Sequence, residues 1–599
     1  MELKTTWDLS PLLKDDNDPR REALRTEIEK ATKQFAEKWR TDQAYLSDPA
    51  ALVQALDEFE AWQRVYGGGG DEAYFFWLRS EQDESDPVLK AHLQKSEDFG
   101  NKIMNKIRFF ELSIAKIPES EQAKFLAHPG LQNYKHFLEK LFREAKYLLS
   151  EPEEKILALK SGPAYGNWVR LVSGLLSKEE ASVPTEKGVT ETKNFSEILS
   201  LIDSREKRVR DAAAEAVNAT FKKHLEIGEA ELNSVLGDKK IDDELRKLSR
   251  PDMARHLSDD IETETVDAML QAVEAKFDIA RRYYALKARL LGVPRLAYHE
   301  RNVPYGDLDK TYDFPAAVAL VQQVFTGLDP EFGDILARFA RDGHFDVYPR
   351  KGKVGGAFCA HNLLSQPTYV LLNHTDKLKD VLTLAHEMGH GINNELMRPV
   401  RHALDFGTST ATAEVASTFM EDFVLEALVR EADPELQLAI LMYRLNDDVS
   451  SIFRQVACYR FEQALHTAYR AQGYLAAPEI GKLFQANMRA YMGEAVEQSP
   501  GSENWWLYWS HIRRFFYVYS YASGLLISKS LQASVRAKPT IIQGVKGFLA
   551  AGVSDSPRNI FRKLDVDIAE PAFWEKGLTE IDRSLAQATE LAQKLGKLK

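Results

Sequence analysis

Cysteine is scarce in this sequence: there are two, Cys359 and Cys458. They form no Cys-x-x-Cys pair, which excludes a disulfide framework and a cysteine-bound zinc site. Basic charge is also in short supply. Lys and Arg number 78 against 90 Asp and Glu, for a formal net charge of −12. No Lys/Arg cluster carries interleaved aromatics, so no nucleic-acid surface is expected. No run approaches the ~18 consecutive apolar residues of a membrane span. The opening Met1-Glu2-Leu3-Lys4-Thr5-Thr6-Trp7-Asp8 lacks the apolar core of a secretion signal. Internal repeats and low-complexity tracts are absent too. These absences together lead us to expect a soluble cytoplasmic protein without membrane or nucleic-acid partners.

What is present is an ordinary globular composition, 44% hydrophobic and 28% charged, over 599 residues, enough for two or more lobes. Helical spacing of apolar residues dominates. It is clearest at residues 21–39, 49–66 and 86–112, and it resumes over 195–248 and 261–291, ending at Gly292-Val293-Pro294. Gly67-Gly68-Gly69-Gly70 reads as a turn between helices, and residues 182–190 as a small hairpin. A further helix is expected over about 315–340. Residues 351–359 and 368–373 are the only substantial strand candidates near the stretch described next. The expected fold class is mainly α with a small β-sheet, divided into an N-terminal helical lobe (1–193) and a catalytic domain (194–599).

Thr383-Leu384-Ala385-His386-Glu387-Met388-Gly389-His390-Gly391 carries an H-E-x-x-H spacing. On a helix His386 and His390 lie roughly 40° apart, with Glu387 close to both. Leu378, Val381, Ala385, Met388, Ile392 and Leu396 form an apolar stripe on the opposite face, which argues against two merely solvated histidines. Two imidazoles at i, i+4 with an adjacent acid are the pattern of a catalytic zinc with a general base. A third histidine six residues on is excluded, since that position is Leu396. A glutamate on the next helix is the other route. Pro399 and Gly407 break the chain, Thr408-Ser409-Thr410 offer capping hydroxyls, and a helix is expected from Ala411 onward. Glu414 is the expected third ligand. Glu421, seven residues on, shares its face and is the expected carboxylate behind a ligand imidazole.

These residues resemble the oligoendopeptidase F family of thimet-type zinc oligopeptidases. The similarity rests on His386-Glu387-Met388-Gly389-His390, Glu414-Val415-Ala416-Ser417-Thr418, residues 351–359, the late Phe516-Tyr517-Val518-Tyr519-Ser520-Tyr521-Ala522 and the opening Trp7-Asp8-Leu9-Ser10. The resemblance implies a helical fold with a deep channel between two lobes, one Zn2+ per chain at its floor, and cleavage of oligopeptides by a monomer or small homo-oligomer. It also implies that His511 contacts substrate and that a following tyrosine donates to the oxyanion. Tyr519 and Tyr517 rank together for that role, ahead of Tyr521. Gly355, Gly356 and Ala357 are expected to let an extended substrate pair as an added strand. The stretch 505–521 is dense in aromatics with polar tips, which suits a peptide groove, and Arg513 and Arg514 within it read as a solvated pair ahead of a site for a peptide carboxylate. Glu387 is expected to be the general base for a metal-activated water. Two other readings stay open: a helical zinc carboxypeptidase, and a non-catalytic peptide-binding protein with structural zinc.

Overall fold

The computed structural model describes residues 3–308, 310–399 and 401–598. Helical periodicity becomes helix where the ends are also signalled. Pro49–Val65 begins at Asp48, whose carboxylate accepts from the Ala50 N–H at 3.1 Å, with proline in the first turn where its missing donor costs nothing. Pro434–Asp448 begins in the same way at Asp433, and Pro330–Asp342 stops at left-handed Gly343. The glycine run is a turn between Pro49–Val65 and Gly70–Gln82, and three of its residues take positive φ. The expected hairpin is the antiparallel pair Glu180–Pro184 and Thr190–Asn194.

The chain forms two compact units, each gathered from three separated segments. One comprises Met1–Lys146, Leu308–Leu428 and Ser534–Val566; the other comprises Tyr147–Asp307, Val429–Ala533 and Asp567–Lys599. The first unit has a helical core around Trp39, Tyr45, Phe59 and Phe110. A second core in that unit holds Trp7, Tyr74, Phe76, Tyr369 and Leu371. It covers a three-stranded sheet in which Tyr369–Leu371 is central, parallel to Phe345–Asp346 and antiparallel to Phe358–Ala360. Trp7 ties the N-terminal segment to this sheet by donating to the Val370 carbonyl at 2.9 Å.

The strands are shorter than the sequence pattern suggests. Residues 351–357 form a turn instead, because Gly352 and Gly356 adopt positive φ and the buried Lys353 ammonium folds the segment back onto the Asp346 carboxylate at 2.7 Å. The second unit is helical, built on the 39-residue helix Lys207–Leu245 with Thr263–Ala275, Phe277–Leu290, Arg454–Gln472 and Ala477–Met492. Among the described residues no helix is long and apolar enough to cross a membrane.

Candidate active site

The helix Leu378–Met397 buries the apolar stripe, from Leu378 to Leu396. On its other face His386 and His390 keep 28% and 24% of their side-chain surface exposed, and their rings stand 5.2 Å apart. Glu387, between them in sequence, is buried. The Glu414 carboxylate completes the group: Oε2 lies 3.3 Å from His386 Nε2 and 3.6 Å from His390 Nε2. Donors bound to one tetrahedral ion at ~2.1 Å stand roughly 3.4 Å apart, so this spacing suits a shared cation. Ser417 Oγ donates to the same Glu414 oxygen at 2.9 Å. His386 turns its other nitrogen, Nδ1, to Glu421 Oε2 at 2.9 Å. That contact fixes the tautomer that presents Nε2 to a metal. Replacing Glu421 by alanine is expected to lower metal affinity and activity about 10–100-fold together, read by zinc titration alongside kcat/KM.

The helix that follows starts later than its capping hydroxyls suggest. It spans Val415–Glu431, and residues 411–414 are turn. Glu414 therefore sits just ahead of the first turn, its carbonyl accepting from the Thr418 N–H at 3.1 Å. Thr412 bonds back to Ser409, so the hydroxyls brace that turn instead of capping a helix at Ala411.

Gly389 has a role that sequence reasoning did not assign. A Cβ there would stand 2.5 Å from Ser417 Cα and 2.6 Å from the Ala416 carbonyl oxygen. The two helices meet backbone to backbone at this point, and the closeness brings Glu414 to the imidazoles. The small residue between the two histidines was the available signal.

Electrostatics match the geometry. Burial pushes the Glu387 carboxyl up, an effect partly offset by the His386 and His390 imidazoles. Burial alone would lower the proton affinity of His386, but its hydrogen bonds to Glu414 and Glu421 outweigh it and raise that affinity well above the usual value. Glu414 is raised by burial and then drawn far below the ordinary carboxylate range by its hydrogen bonds to the two imidazoles. Among the described residues one other group has metal-ligand spacing, Asp211, His299 and Glu300. There Arg210 stands 2.7 Å from Glu300 and Lys207 3.0 Å from Asp211, so the protein already supplies the positive charge.

Comparison with known proteins identifies the family. The model described as Peptidase family M3 matches residues 201–580, and one described as Oligopeptidase F matches residues 113–177. The chain belongs to peptidase family M3. Group B oligopeptidase PepB of Streptococcus agalactiae is 24% identical over 99% of this chain and 98% of its own length. An oligoendopeptidase F homolog of Lactococcus lactis is 24% identical over 99% and 98%. A crystal structure from Chlamydophila abortus shares the fold, with a TM-score of 0.86 at 22% identity over 98% of each chain.

Around the His386, His390 and Glu414 group, the other expected residues and three further histidines nearby in sequence divide. Gly355 and Gly356 form a bend ahead of the edge strand Phe358–Ala360, and Ala357 joins the two. Asn373 pins the bend, its amide donating to the Val354 and Gly356 carbonyls at 2.9 and 2.8 Å. Gly356, at φ +83°, needs glycine for its backbone, while a Cβ at either glycine would meet nothing within 4 Å. His374 is buried and bonded to the Tyr312 carbonyl. His402 lies 3.2 Å from Asp405 and does not enter the ligand group. His361 packs against Phe406, and partial desolvation, with His390 and Arg398 alongside, holds it down at about 4.

The late aromatic stretch belongs to the second unit. His511, on the short turn Ser510–Arg514, has Nε2 3.0 Å from the Tyr521 hydroxyl, with Tyr517 stacked at 6.0 Å. Tyr517 meets Tyr521 edge-on at 5.5 Å. Burial lowers the proton affinity of His511, helped by the charges of Arg514 and Arg454. Tyr519 must be taken out of the oxyanion role. It is fully buried, and its hydroxyl donates to the buried Asp259 carboxylate at 2.8 Å, so it serves packing. Tyr521, ranked behind the other two, is the tyrosine whose hydroxyl is hydrogen-bonded to His511. Arg513 is corrected as well: it is buried in an ion pair with Glu231, with Nε at 2.9 Å from Oε1, and is not solvated.

Proposed function

We propose that this chain is a zinc-dependent endopeptidase that hydrolyses internal peptide bonds of oligopeptides, acting in the cytoplasm as a monomer or small homo-oligomer. The observation that carries this reading is the convergence of His386 Nε2, His390 Nε2 and the Glu414 carboxylate beside the buried Glu387. Those three residues would hold one ion per chain. Two imidazoles and a carboxylate suit zinc, and three protein donors in place of four suit a catalytic centre over a structural one. Bound there, zinc supplies Lewis acidity that brings the pKa of a water from about 15.7 toward 7 and polarises the scissile carbonyl.

The chain's own residues do the rest. Glu387 takes the proton of the attacking water and passes it to the leaving amine, a task suited to a carboxyl whose proton affinity burial has raised. Glu421 keeps His386 in the ligand tautomer. His511 with Tyr521 or Tyr517 contacts the substrate and donates to the developing oxyanion. The edge strand Phe358–Ala360, entered through Gly355, Gly356 and Ala357, pairs with the extended peptide. The two family models fall on either side of residue 193, which supports a helical N-terminal lobe over 1–193 and a catalytic domain over 194–599.

The curated relatives named oligopeptidase and oligoendopeptidase F support peptide substrates of limited length. A graded series of peptides blocked at both ends tests the reading. Internal cleavage is expected, falling off as length grows and stopping in the presence of a chelator. Cleavage that needs a free C-terminus would instead make the chain a carboxypeptidase.

A further inference from the structure

Two consecutive non-glycine residues between His511 and Tyr517 have positive φ: Phe515 at +44° and Phe516 at +57°. Bulky side chains avoid this region, and such backbone persists only where its surroundings over-determine it. Here they do. Tyr165 donates its hydroxyl to the Arg513 carbonyl. Arg255 donates Nη2 to the Arg514 carbonyl at 2.8 Å and Nε to the Phe515 carbonyl at 3.2 Å. The Phe516 N–H donates to Glu462 Oε2 at 2.7 Å. Three successive peptide groups are thus held, through four hydrogen bonds, by side chains from three other helical segments.

Glu462 is the unusual member. It lies on Arg454–Gln472, fully buried, and its second oxygen has no hydrogen-bond partner among the described residues. Burial pushes its carboxyl up to about 8, against the Phe516 N–H and Arg255 and with Asp252. Either protonation state leaves an oxygen to accept from Phe516. A buried acid with one orphaned oxygen is a poor choice for packing alone.

We propose that Glu462 is a positioning residue for the His511–Tyr517–Tyr521 cluster, acting by holding the left-handed Phe515–Phe516 turn. The chain reverses there, so that His511 before the turn meets Tyr517 and Tyr521 after it. Tyr459 and His466 close around the Phe516 ring at 5.2 and 5.0 Å, leaving the N–H to a single acceptor. The inference rests on the role proposed above for that cluster.

The test compares Glu462→Leu with Glu462→Gln in the full zinc-loaded chain. Leucine fills the space without an acceptor and is expected to lower kcat at least tenfold, with KM within about threefold and zinc content unchanged. Glutamine keeps the acceptor and is expected to stay within about threefold of the parent in both constants. Adding Phe515→Gly to Glu462→Leu is expected to restore kcat at least fivefold, because glycine adopts positive φ without the side-chain clash. Should Glu462→Leu not fold, Arg255→Met removes two contacts from the partly exposed side of the turn and carries the same expectation. A full-speed Glu462→Leu, a glutamine variant as slow as the leucine variant, or no recovery with glycine overturns the proposal. A His511→Ala control separates the possible failures. If it is slow beside a full-speed Glu462→Leu, only this inference falls; if it is itself at full speed, the role of the cluster falls too.

Discussion

Glu387→Gln is expected to bind zinc at one ion per chain and to lose about 10³–10⁴-fold in kcat, with KM little changed. Glutamine keeps the size of the side chain and a carbonyl oxygen, but it cannot take a proton. Glu387 is not one of the three residues that would hold the ion, so those donors stay intact. The loss is therefore in the transition state and not in substrate binding. Burial gives the change a second consequence. An amide removes the charge that desolvation opposes, so the variant should melt at or slightly above the parent temperature. Kinetics, metal analysis and a melting curve on one preparation check all three expectations. A variant that turns over at the parent rate would discard Glu387 as the base.

Gly389→Ala is expected to cost metal and activity through geometry alone. Its Cβ would have to displace the Ala416–Ser417 backbone, which unlike a flexible side chain has nowhere nearby to rotate. Overpacking of this kind costs about 1–3 kcal/mol of stability. The larger effect falls on the site. Separating the helices by a few tenths of an ångström draws the Glu414 oxygen away from both Nε2 atoms, and zinc affinity should fall by at least about 10²-fold, comparable to losing an outer carboxylate. Zinc titration with a competing chelator reads this directly. Parent-like affinity would mean that the close crossing does not set the position of Glu414.

These two residues mark how much of the site the sequence discloses. His386, Glu387 and His390 are legible because ligand spacing and helix period coincide, and the apolar stripe fixes which face they occupy. Glu421 is legible for the same reason, seven residues from Glu414. Gly389 is not, since its constraint comes from the Ala416–Ser417 backbone of another helix and becomes visible only once the two have packed. The late cluster is less legible still. Its arrangement turns on positive φ at Phe515 and Phe516, and phenylalanine is a residue from which no local rule would infer a left-handed turn. The resemblance therefore ranks Tyr519 with Tyr517 ahead of Tyr521, whereas the turn delivers Tyr521 to His511 and sends Tyr519 to Asp259. Arg513 is hidden for another reason: its partner Glu231 is 282 residues away. Secondary structure is readable where caps and glycines mark it. The grouping of three separated segments into each compact unit depends on long-range burial that no local pattern encodes.

An anomalous difference map at the zinc edge, from crystals of the full chain grown with zinc, tests the metal centre most directly. One strong peak is expected at about 2.0–2.2 Å from His386 Nε2, His390 Nε2 and a Glu414 carboxylate oxygen, with no fourth protein ligand. A principal peak elsewhere, or an ion enclosed by four protein donors, would contradict the catalytic centre described here.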